Sequence, residues 1–171
     1  MPSSVIATER LDLVLLTPAF MEAWLVGEAT PELGFVDTGG FLDGAEDFVR
    51  LRLDQARDPA VAPWLVRAIV VREQRLAVGT VGFHAAPDGR GMVEVGYEVL
   101  AAFRRRGYAR EAATGVIRWA SDQGVRVVRA SVSPENAASL AMIAGLGFVH
   151  VGEQIDEADG RELVFELDVA R

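Results

Sequence analysis

A basic turn near the middle of the chain has the residue types of an anion-binding site. Arg104, Arg105 and Arg106 are followed by Gly107, and a strongly periodic helical pattern begins directly after them. The segment before the turn, 93–99, alternates valine with other residues and predicts a strand. Between a strand and a helix, the turn's backbone N–H groups and the positive end of the helix dipole point to one place. Arginine side chains add charge-assisted hydrogen bonds there, so the sequence predicts that this turn binds an anionic ligand.

The composition excludes several other kinds of chemistry. All 17 basic residues are arginine, and the chain contains no cysteine. These absences rule out a lysine-dependent phosphate loop, Schiff-base catalysis, a thiol nucleophile and a cysteine-bound metal. His84 and His150 are the only histidines. They are too few for a histidine-rich metal centre, so we expect no metal.

The charge and the hydropathy pattern limit the partners. A formal net charge of −8 argues against nucleic acid and favours cationic acceptors such as amines. No apolar stretch approaches the roughly 20 residues that span a bilayer, and the first residues lack a signal-peptide pattern. We therefore expect a cytoplasmic protein that binds neither membranes nor nucleic acid.

The first half of the chain predicts alternating strands and helices. The cap Thr17-Pro18 starts a helix that runs to about residue 27. A second helix covers about 45–57, with Phe48, Leu51 and Gln55 on one side. The remaining predicted segments are a strand over 7–16, a loop over 28–43 and closely spaced strands over 64–72, 75–84 and 93–99. The last three strands are expected to be antiparallel neighbours.

The second half predicts a strand–helix–strand unit and a final hairpin. A helix that starts near Ala109 and ends at Gly124 leads to a strand over 125–132, which implies a parallel pair of strands. Ser133-Pro134 is expected to cap another helix, and two strands over 149–154 and 161–169 close the chain. On that helix four residues are expected to share a face: Ala137, Leu140, Ala141 and Ala144. The whole pattern predicts one mixed α/β domain over residues 1–171.

Several motifs resemble those of the GNAT acyl-CoA N-acyltransferases. The spacing Arg104-x-x-Gly107-x-Ala109 is similar to the family's R/Q-x-x-G-x-G/A signature, and it differs from the G-x-x-x-x-G-K-[ST] and G-x-G-x-x-G loops. Other blocks resemble the branch that includes the ribosomal-protein N-terminal acetyltransferases: Thr8-Glu9-Arg10-Leu11, Gly79-Thr80-Val81-Gly82-Phe83, Glu94-Val95-Gly96-Tyr97, Asn136-Ala137-Ala138-Ser139 and Gly147-Phe148. The resemblance implies a GNAT fold. This is a mostly antiparallel sheet of about seven strands and about four helices, whose one parallel pair splays apart to admit the acyl-CoA.

The resemblance also implies acetyl-CoA as co-substrate, a primary amine as acceptor and a set of site residues. Glu94 is the favoured base that deprotonates the amine, and Glu98 on the same strand face is the alternative. Backbone groups of Tyr97 and Val99 are expected to hold the pantetheine arm and the oxyanion. The other cofactor contacts are Arg104, Arg105, Arg106, Gly107, Tyr108, Ala109 and Asn136.

The chain departs from the family at the proton donor for the leaving thiolate. Many GNAT enzymes carry a tyrosine seven residues after the helix asparagine, but here that position is Ile143, which donates no proton. Ser139 is the substitute that the resemblance suggests. Two alternatives stay open: Ser139 bonds only to nearby backbone, or the thiolate, with a pKa near 8.5, leaves unaided. Gly96 either marks a bulge that opens the strand or only relieves crowding. The two histidines are expected to be structural.

The acceptor is not selected by the sequence. The acceptor is expected to lie over residues 28–43 and the end of the chain. The residues expected to line its site are Phe35, Asp37, Phe41 and Asp43, together with Glu98. A protein N-terminus, an amino acid, a polyamine and an amine antibiotic all remain open. A non-catalytic CoA-binding module on the same fold is the alternative from another class, and a homodimer is also left open.

Overall fold

The computed structural model describes residues 4–170. Eight strands in this range form one sheet. In chain order the strands are β1 (Val5–Ala7), β2 (Leu11–Leu15), β3 (Arg67–Val71), β4 (Leu76–Phe83), β5 (Met92–Val99), β6 (Val127–Val132), β7 (Val149–Asp156) and β8 (Gly160–Asp168). Across the sheet the order is β1-β2-β3-β4-β5-β6-β8-β7. Only β5 and β6 run parallel. The predicted mixed class and the mostly antiparallel sheet with one parallel pair are confirmed.

The predicted first strand is in fact a hairpin. The backbone N–H of Thr8 donates to Leu11 O over 2.9 Å, which closes a turn between β1 and β2. The chain therefore gains a short strand before the turn, and the sheet has eight strands rather than about seven.

Four α-helices cover the two faces of the sheet: α1 (Pro18–Leu25), α2 (Glu46–Gln55), α3 (Tyr108–Asp122) and α4 (Ala137–Gly145). Single 3₁₀ turns lie at Ala62–Trp64 and Ala101–Phe103. One apolar cluster packs α1 and α2 on one face, and another packs α3 and α4 on the opposite face. As predicted, Thr17 caps α1, where its side chain accepts the N–H of Phe20.

The sides of two helices that the sequence grouped together are only partly the buried sides. In α2, Leu51 is 54% exposed, whereas Val49 and Arg52 are buried. In α4, Ala137, Ala141 and Ala144 are exposed and Ile143 is buried. A charged residue in the buried stripe of α2, and alanine on every side of α4, removed the contrast on which a periodicity argument depends.

The predicted cap of α4 was also wrong. Ser133-Pro134 lies in the turn before the helix, and Asn136 is the N-cap. The side-chain oxygen of Asn136 accepts the N–H of Ser139 over 3.0 Å. An asparagine directly before the helix satisfies the first-turn N–H group better than a serine three residues away.

The parallel pair separates soon after it begins. Pairing between β5 and β6 covers only Met92–Val127, Val93–Val128 and Glu94–Arg129. Beyond Glu94, β5 stays paired with β4, and β6 stays paired with β8. The inner edges of β5 and β6 therefore face a gap, which the predicted splay required.

Candidate active site

Backbone groups of the second half of β5 point into the gap. The N–H of His84 donates to Glu94 O, and the N–H of Leu100 donates to Val78 O, both over 2.9 Å. These bonds show that even-numbered residues of β5 pair with β4. Since backbone groups alternate along an antiparallel strand without a bulge, Tyr97 and Val99 turn theirs toward β6.

At the end of β5, the basic turn presents free amides at the start of α3. Gly107 is the N-cap and has a φ of 81°, a left-handed conformation that glycine adopts without steric cost. Within residues 4–170, the backbone N–H groups of Gly107, Tyr108 and Ala109 donate to no protein acceptor. Three consecutive donors at a helix N-terminus form a site suited to phosphate oxygens.

The three arginine side chains of the turn do not converge on these amides. Arg104 Nε donates to Val99 O over 2.8 Å. The Arg106 guanidinium lies 5.3 Å from the ring centre of Phe103 and donates to Ala102 O. Arg105 is exposed and has a φ of 61°. The positive side chains therefore surround the turn, while the backbone forms its binding surface.

Residues of the Thr8–Leu11 motif fix the turn from behind. The Glu111 carboxylate accepts the Thr8 hydroxyl over 2.6 Å, and the Arg10 backbone N–H and Nε each over 2.7 Å. Arg10 Nη1 donates to Arg106 O over 3.0 Å. Partial burial raises the pKa of Glu111, but these hydrogen bonds outweigh it and leave the pKa below its ordinary value. The sequence analysis identified residues 8–11 only as a family motif and did not predict their contacts with Glu111.

Two hydroxyl groups bridge the two sides of the gap. The Tyr97 phenol on β5 is hydrogen-bonded to the Ser139 hydroxyl on α4. Burial raises the pKa of the phenol, although the hydrogen bond to Ser139 opposes this. Tyr97 therefore stays protonated at neutral pH. Ser139 and Asn136 share one end of α4, as predicted, but the Tyr97 side chain was not predicted as a donor.

A cavity of about 340 Å³ lies on the other side of β5, under α2. Its polar lining includes Arg52, Thr80, His84 and Glu98, and Phe41 and Phe48 contribute aromatic walls. Phe41 and Glu98, two of the residues predicted to contact the acceptor, line this cavity. Phe35 instead packs behind Phe41 with ring centres 5.8 Å apart, and Asp37 accepts loop N–H groups of Gly40 and Phe41. Neither Phe35, Asp37 nor Asp43 lines the cavity.

His84 connects the cavity with Glu94. Its Nδ1 lies 3.9 Å from Glu94 Oε1, and a Cβ added to Gly96 would lie 2.9 Å from its Nε2. Gly96 pairs regularly with Gly82, so the suggested bulge is absent and the glycine makes room for the imidazole. Burial lowers the pKa of His84, and this outweighs the opposing attraction of Glu94. A half-exposed, mostly neutral imidazole in the cavity wall is able to accept a proton.

Comparisons with known proteins identify the family. The family model described as "Acetyltransferase (GNAT) domain" matches residues 10–149. The chain belongs to the GNAT acetyltransferase family. It is 30% identical over 147 residues to the uncharacterised N-acetyltransferase YjdG of Bacillus subtilis (strain 168), which covers 82% of this chain and 84% of YjdG.

Solved structures of GNAT proteins share the fold. A Vibrio cholerae protein thought to be a ribosomal-protein-serine acetyltransferase matches with a TM-score of 0.71 at 22% identity, covering 98% of this chain and 99% of that one. The microcin C7 self-immunity acetyltransferase MccE, in complex with acetyl-CoA and AMP, matches with a TM-score of 0.69 at 16% identity, covering 98% and 97%. The chain is thus a GNAT-family N-acetyltransferase.

Two features are absent from the part of the chain that the structure describes. No helix in residues 4–170 is long and apolar enough to cross a membrane. No group of three or more metal-ligating side chains was found in the same part of the chain.

Proposed function

We propose that this GNAT acetyltransferase moves an acetyl group from acetyl-CoA to a primary amine that occupies the cavity under α2. The observation that carries the proposal is the gap between β5 and β6. At one end the gap reaches the free amides of Gly107–Ala109. The backbone groups of Tyr97 and Val99 point into the gap from β5.

The polar groups of the gap fit the parts of acetyl-CoA. The amides of Gly107, Tyr108 and Ala109 would hold the pyrophosphate, with the exposed arginines 104–106 nearby. The N–H groups of Tyr97 and Val99 would bond the pantetheine arm and the thioester oxygen. Asn136 uses its side-chain oxygen as the α4 cap, so its amide nitrogen is left for the cofactor. The cofactor supplies an activated acetyl thioester.

The amine must lose a proton before it attacks, and Glu94 with His84 is suited to remove it. His84 lines the cavity, while Glu94 lies behind it at the point where β5 and β6 separate. We assign the proton-accepting step to His84, with Glu94 stabilising the imidazolium that forms. Glu98 also lines the cavity and would attract the ammonium form of the acceptor.

The transfer then forms one bond and breaks one. The neutral amine nitrogen bonds to the acetyl carbon, and the carbon–sulfur bond breaks to release the CoA thiolate. The thiolate takes a proton from the Tyr97–Ser139 pair or from water. The phenol, which remains protonated at neutral pH, is the better placed of the two hydroxyls to begin this step because it lies on β5 itself.

The test combines calorimetry with a thiol-release assay over a panel of amines. Wild-type protein is expected to bind acetyl-CoA and to release CoA thiol with at least one amine. His84→Gln and Glu94→Gln should each lower kcat/KM by about 10²–10⁴-fold without weakening acetyl-CoA binding. Glu98→Gln, on the same strand face, is the matched control and should mainly raise KM.

The pH profile separates the two roles. Wild-type kcat/KM should fall at acidic pH with a midpoint below the ordinary histidine value of 6.5, because the lowered pKa of His84 keeps the base neutral to more acidic pH. Glu94→Gln should move this midpoint further toward acid, since the charge that favours the imidazolium is lost. A protein that binds CoA but releases no thiol with any amine would instead be a CoA-binding module. Unchanged turnover in Glu94→Gln would remove Glu94 from the reaction.

A further inference from the structure

The cavity contains a buried arginine that the proposed transfer does not use. Arg52 lies on the inner face of α2 and is only 7% exposed. Its guanidinium lies 4.9 Å from the ring centre of Phe48 and forms part of the cavity wall.

Arg52 has hydrogen-bond partners but no counter-ion. Its Nη1 donates to Gln55 Oε1 over 2.8 Å and to His84 O over 2.9 Å, and both acceptors are neutral. No ion pair of residues 4–170 includes it. Burial lowers the pKa of the guanidinium, and no neighbouring carboxylate opposes that effect. A buried cation without an anion is costly, and an anionic ligand would offset that cost.

Two donors of Arg52 remain for a ligand. Nε and Nη2 have no acceptor within residues 4–170, and neither is fully enclosed, because no fully buried side-chain nitrogen or oxygen in that range lacks a partner. Since Arg52 lines the cavity, these two nitrogens are the donors that a ligand there could use. Nε and Nη2 of one guanidinium point in the same direction, which is the arrangement that binds both oxygens of a carboxylate.

We propose that the cavity binds an acceptor that carries a carboxylate next to its amine, as a free α-amino acid does, and that Arg52 is the residue that binds the carboxylate. This inference rests on the proposed function, because it names the class of acceptor for the same site.

The positions of the charges agree with a short zwitterion. Arg52 bonds to the backbone carbonyl of His84, and the imidazole of the same residue is the proposed proton acceptor. Arg52 would bind the carboxylate and His84 would accept the proton of the amine, and these two residues are in direct contact. The carboxylate and the amine of the acceptor can therefore be only a few bonds apart. Glu98 supplies a negative charge in the same cavity. The aromatic rings of Phe41 and Phe48 leave an apolar wall for a side chain.

The same arrangement disfavours one acceptor that the sequence left open. A polyamine carries several positive charges and no anion, so one of its ammonium groups would come close to the unneutralised guanidinium of Arg52. Like charges in a partly desolvated cavity repel, and this repulsion would weaken binding.

The experiment compares three compounds that differ only beside the amine: L-leucine, L-leucinamide and 3-methylbutylamine. Thiol release is measured at equal concentrations of the unprotonated amine, because the three compounds differ in basicity. Wild-type kcat/KM for L-leucine should exceed that for the other two by about 10- to 100-fold, the usual effect of a charge-assisted bidentate contact. L-phenylalanine and L-phenylalaninamide repeat the comparison with a second side chain.

Variants of α2 assign the preference to one residue. Arg52→Gln should abolish the advantage of the acids over the uncharged compounds, and this ratio is the readout because Arg52 also bonds to His84 and its loss could change the rate common to all of them. Arg52→Lys should keep a smaller advantage, because it keeps the charge but loses the paired donors. Arg50→Gln is the matched control, since Arg50 lies on the exposed side of the same helix. Thermal unfolding and acetyl-CoA affinity of each variant show whether it is folded.

A binding readout tests the site without turnover. N-acetyl-L-leucine should bind the CoA complex in calorimetry at least about tenfold more tightly than N-acetyl-L-leucinamide, and Arg52→Gln should remove the difference. Equal use of acid and amide by wild type, or an acid preference that survives in Arg52→Gln, would overturn the inference while the transferase activity stands. Loss of acetyl-CoA binding and of thiol release with every amine would overturn the proposed function itself. If the acid product then also binds no better than its amide, the carboxylate site falls with it.

Discussion

At the scale of single residues, we expect the hydroxyl groups of Tyr97 and Ser139 to replace the donor that is missing at Ile143. Tyr97 approaches the gap from the sheet, and Ser139 approaches it from the first turn of α4. The proton donor of this reaction is thus expected to come from a strand and a helix together. The alternative in which Ser139 bonds only to nearby backbone does not hold, because its hydroxyl bonds to Tyr97.

Removing these hydroxyls tests how much the donor matters. Tyr97→Phe should lower kcat by about tenfold at neutral pH, because a thiol with a pKa near 8.5 already leaves as a thiolate without much help. Ser139→Ala should cost less, and the double variant should resemble Tyr97→Phe, since both groups serve one proton path. Stopped-flow thiol release measures kcat, with acetyl-CoA affinity as the check on binding. Full additivity of the two effects would mean that the hydroxyls act separately.

The sequence predicted the residues whose role depends on the backbone better than those whose role depends on long-range contacts. The turn over 104–109 and the gap-facing strand follow from local pattern, so their positions are as expected. His84, Arg52 and the Tyr97 hydroxyl were not predicted as site groups, because their partners lie 10 to 42 positions away along the chain. His84 was instead expected to be structural, which its place in the cavity wall does not favour.

At the scale of elements, the β1–β2 hairpin is tied to the start of α3 by a carboxylate. Glu111 accepts three hydrogen bonds from Thr8 and Arg10, and Arg10 bonds onward to Arg106 O. The Arg10 guanidinium also lies 4.9 Å from the ring centre of Tyr108. These contacts hold the turn in the conformation that leaves its amides free.

Glu111→Gln should loosen the turn and weaken acetyl-CoA binding several-fold. The folded-state pKa of Glu111 is below its ordinary value of 4.5, so its contribution to stability is present above that pH and is lost as the pH falls through the folded-state pKa. The variant should be less stable by about 0.5–1 kcal/mol at pH 7, and the difference should shrink in acid. Urea unfolding of wild type and variant at pH 7 and in acid measures the difference in stability, with Glu9→Gln as the exposed control. A constant difference between the two pH values would show that the charge of Glu111 is not responsible.

Element boundaries were predicted where glycine, proline or alternation is present. The buried sides of helices were not predicted where these signals are weak. The start of α1 follows from Thr17-Pro18, and the end of α3 follows from Gly124, whose φ is 91°. In α2 and α4 the apolar residues are too few or too small to mark one side. Packing against the sheet decides which side of each helix is buried, and the sequence of the helix alone carries no information about that packing.

At the scale of the whole molecule, Ile143, which replaces the family's tyrosine, contributes to core packing. Ile143 is 1% exposed and belongs to the cluster that α3 and α4 bury against the sheet. The position at which other family members carry a tyrosine is therefore part of the hydrophobic core in this chain.

Restoring a tyrosine at this position should damage the protein. Ile143→Tyr is expected to lower the free energy of unfolding by about 1–3 kcal/mol, because a larger and polar side chain has to enter a filled core. It should not raise kcat. Denaturant unfolding measures the change, and Ala144→Tyr, at the exposed neighbour, should stay within about 0.5 kcal/mol of wild type. A stable Ile143→Tyr variant with faster turnover would show that the phenol reaches the thiolate.

The three-residue ladder between β5 and β6 has a consequence for how the molecule avoids association. Strand edges at the rim of a sheet attract strands of other chains. Here two such edges face each other across the middle of the sheet, and each belongs to a strand already paired on its outer side. A slender, flexible chain such as pantetheine can thread between them, whereas a second polypeptide strand would have to force the two halves apart. The gap that we propose as the entry for acetyl-CoA therefore also shields its own hydrogen-bonding groups from foreign strands.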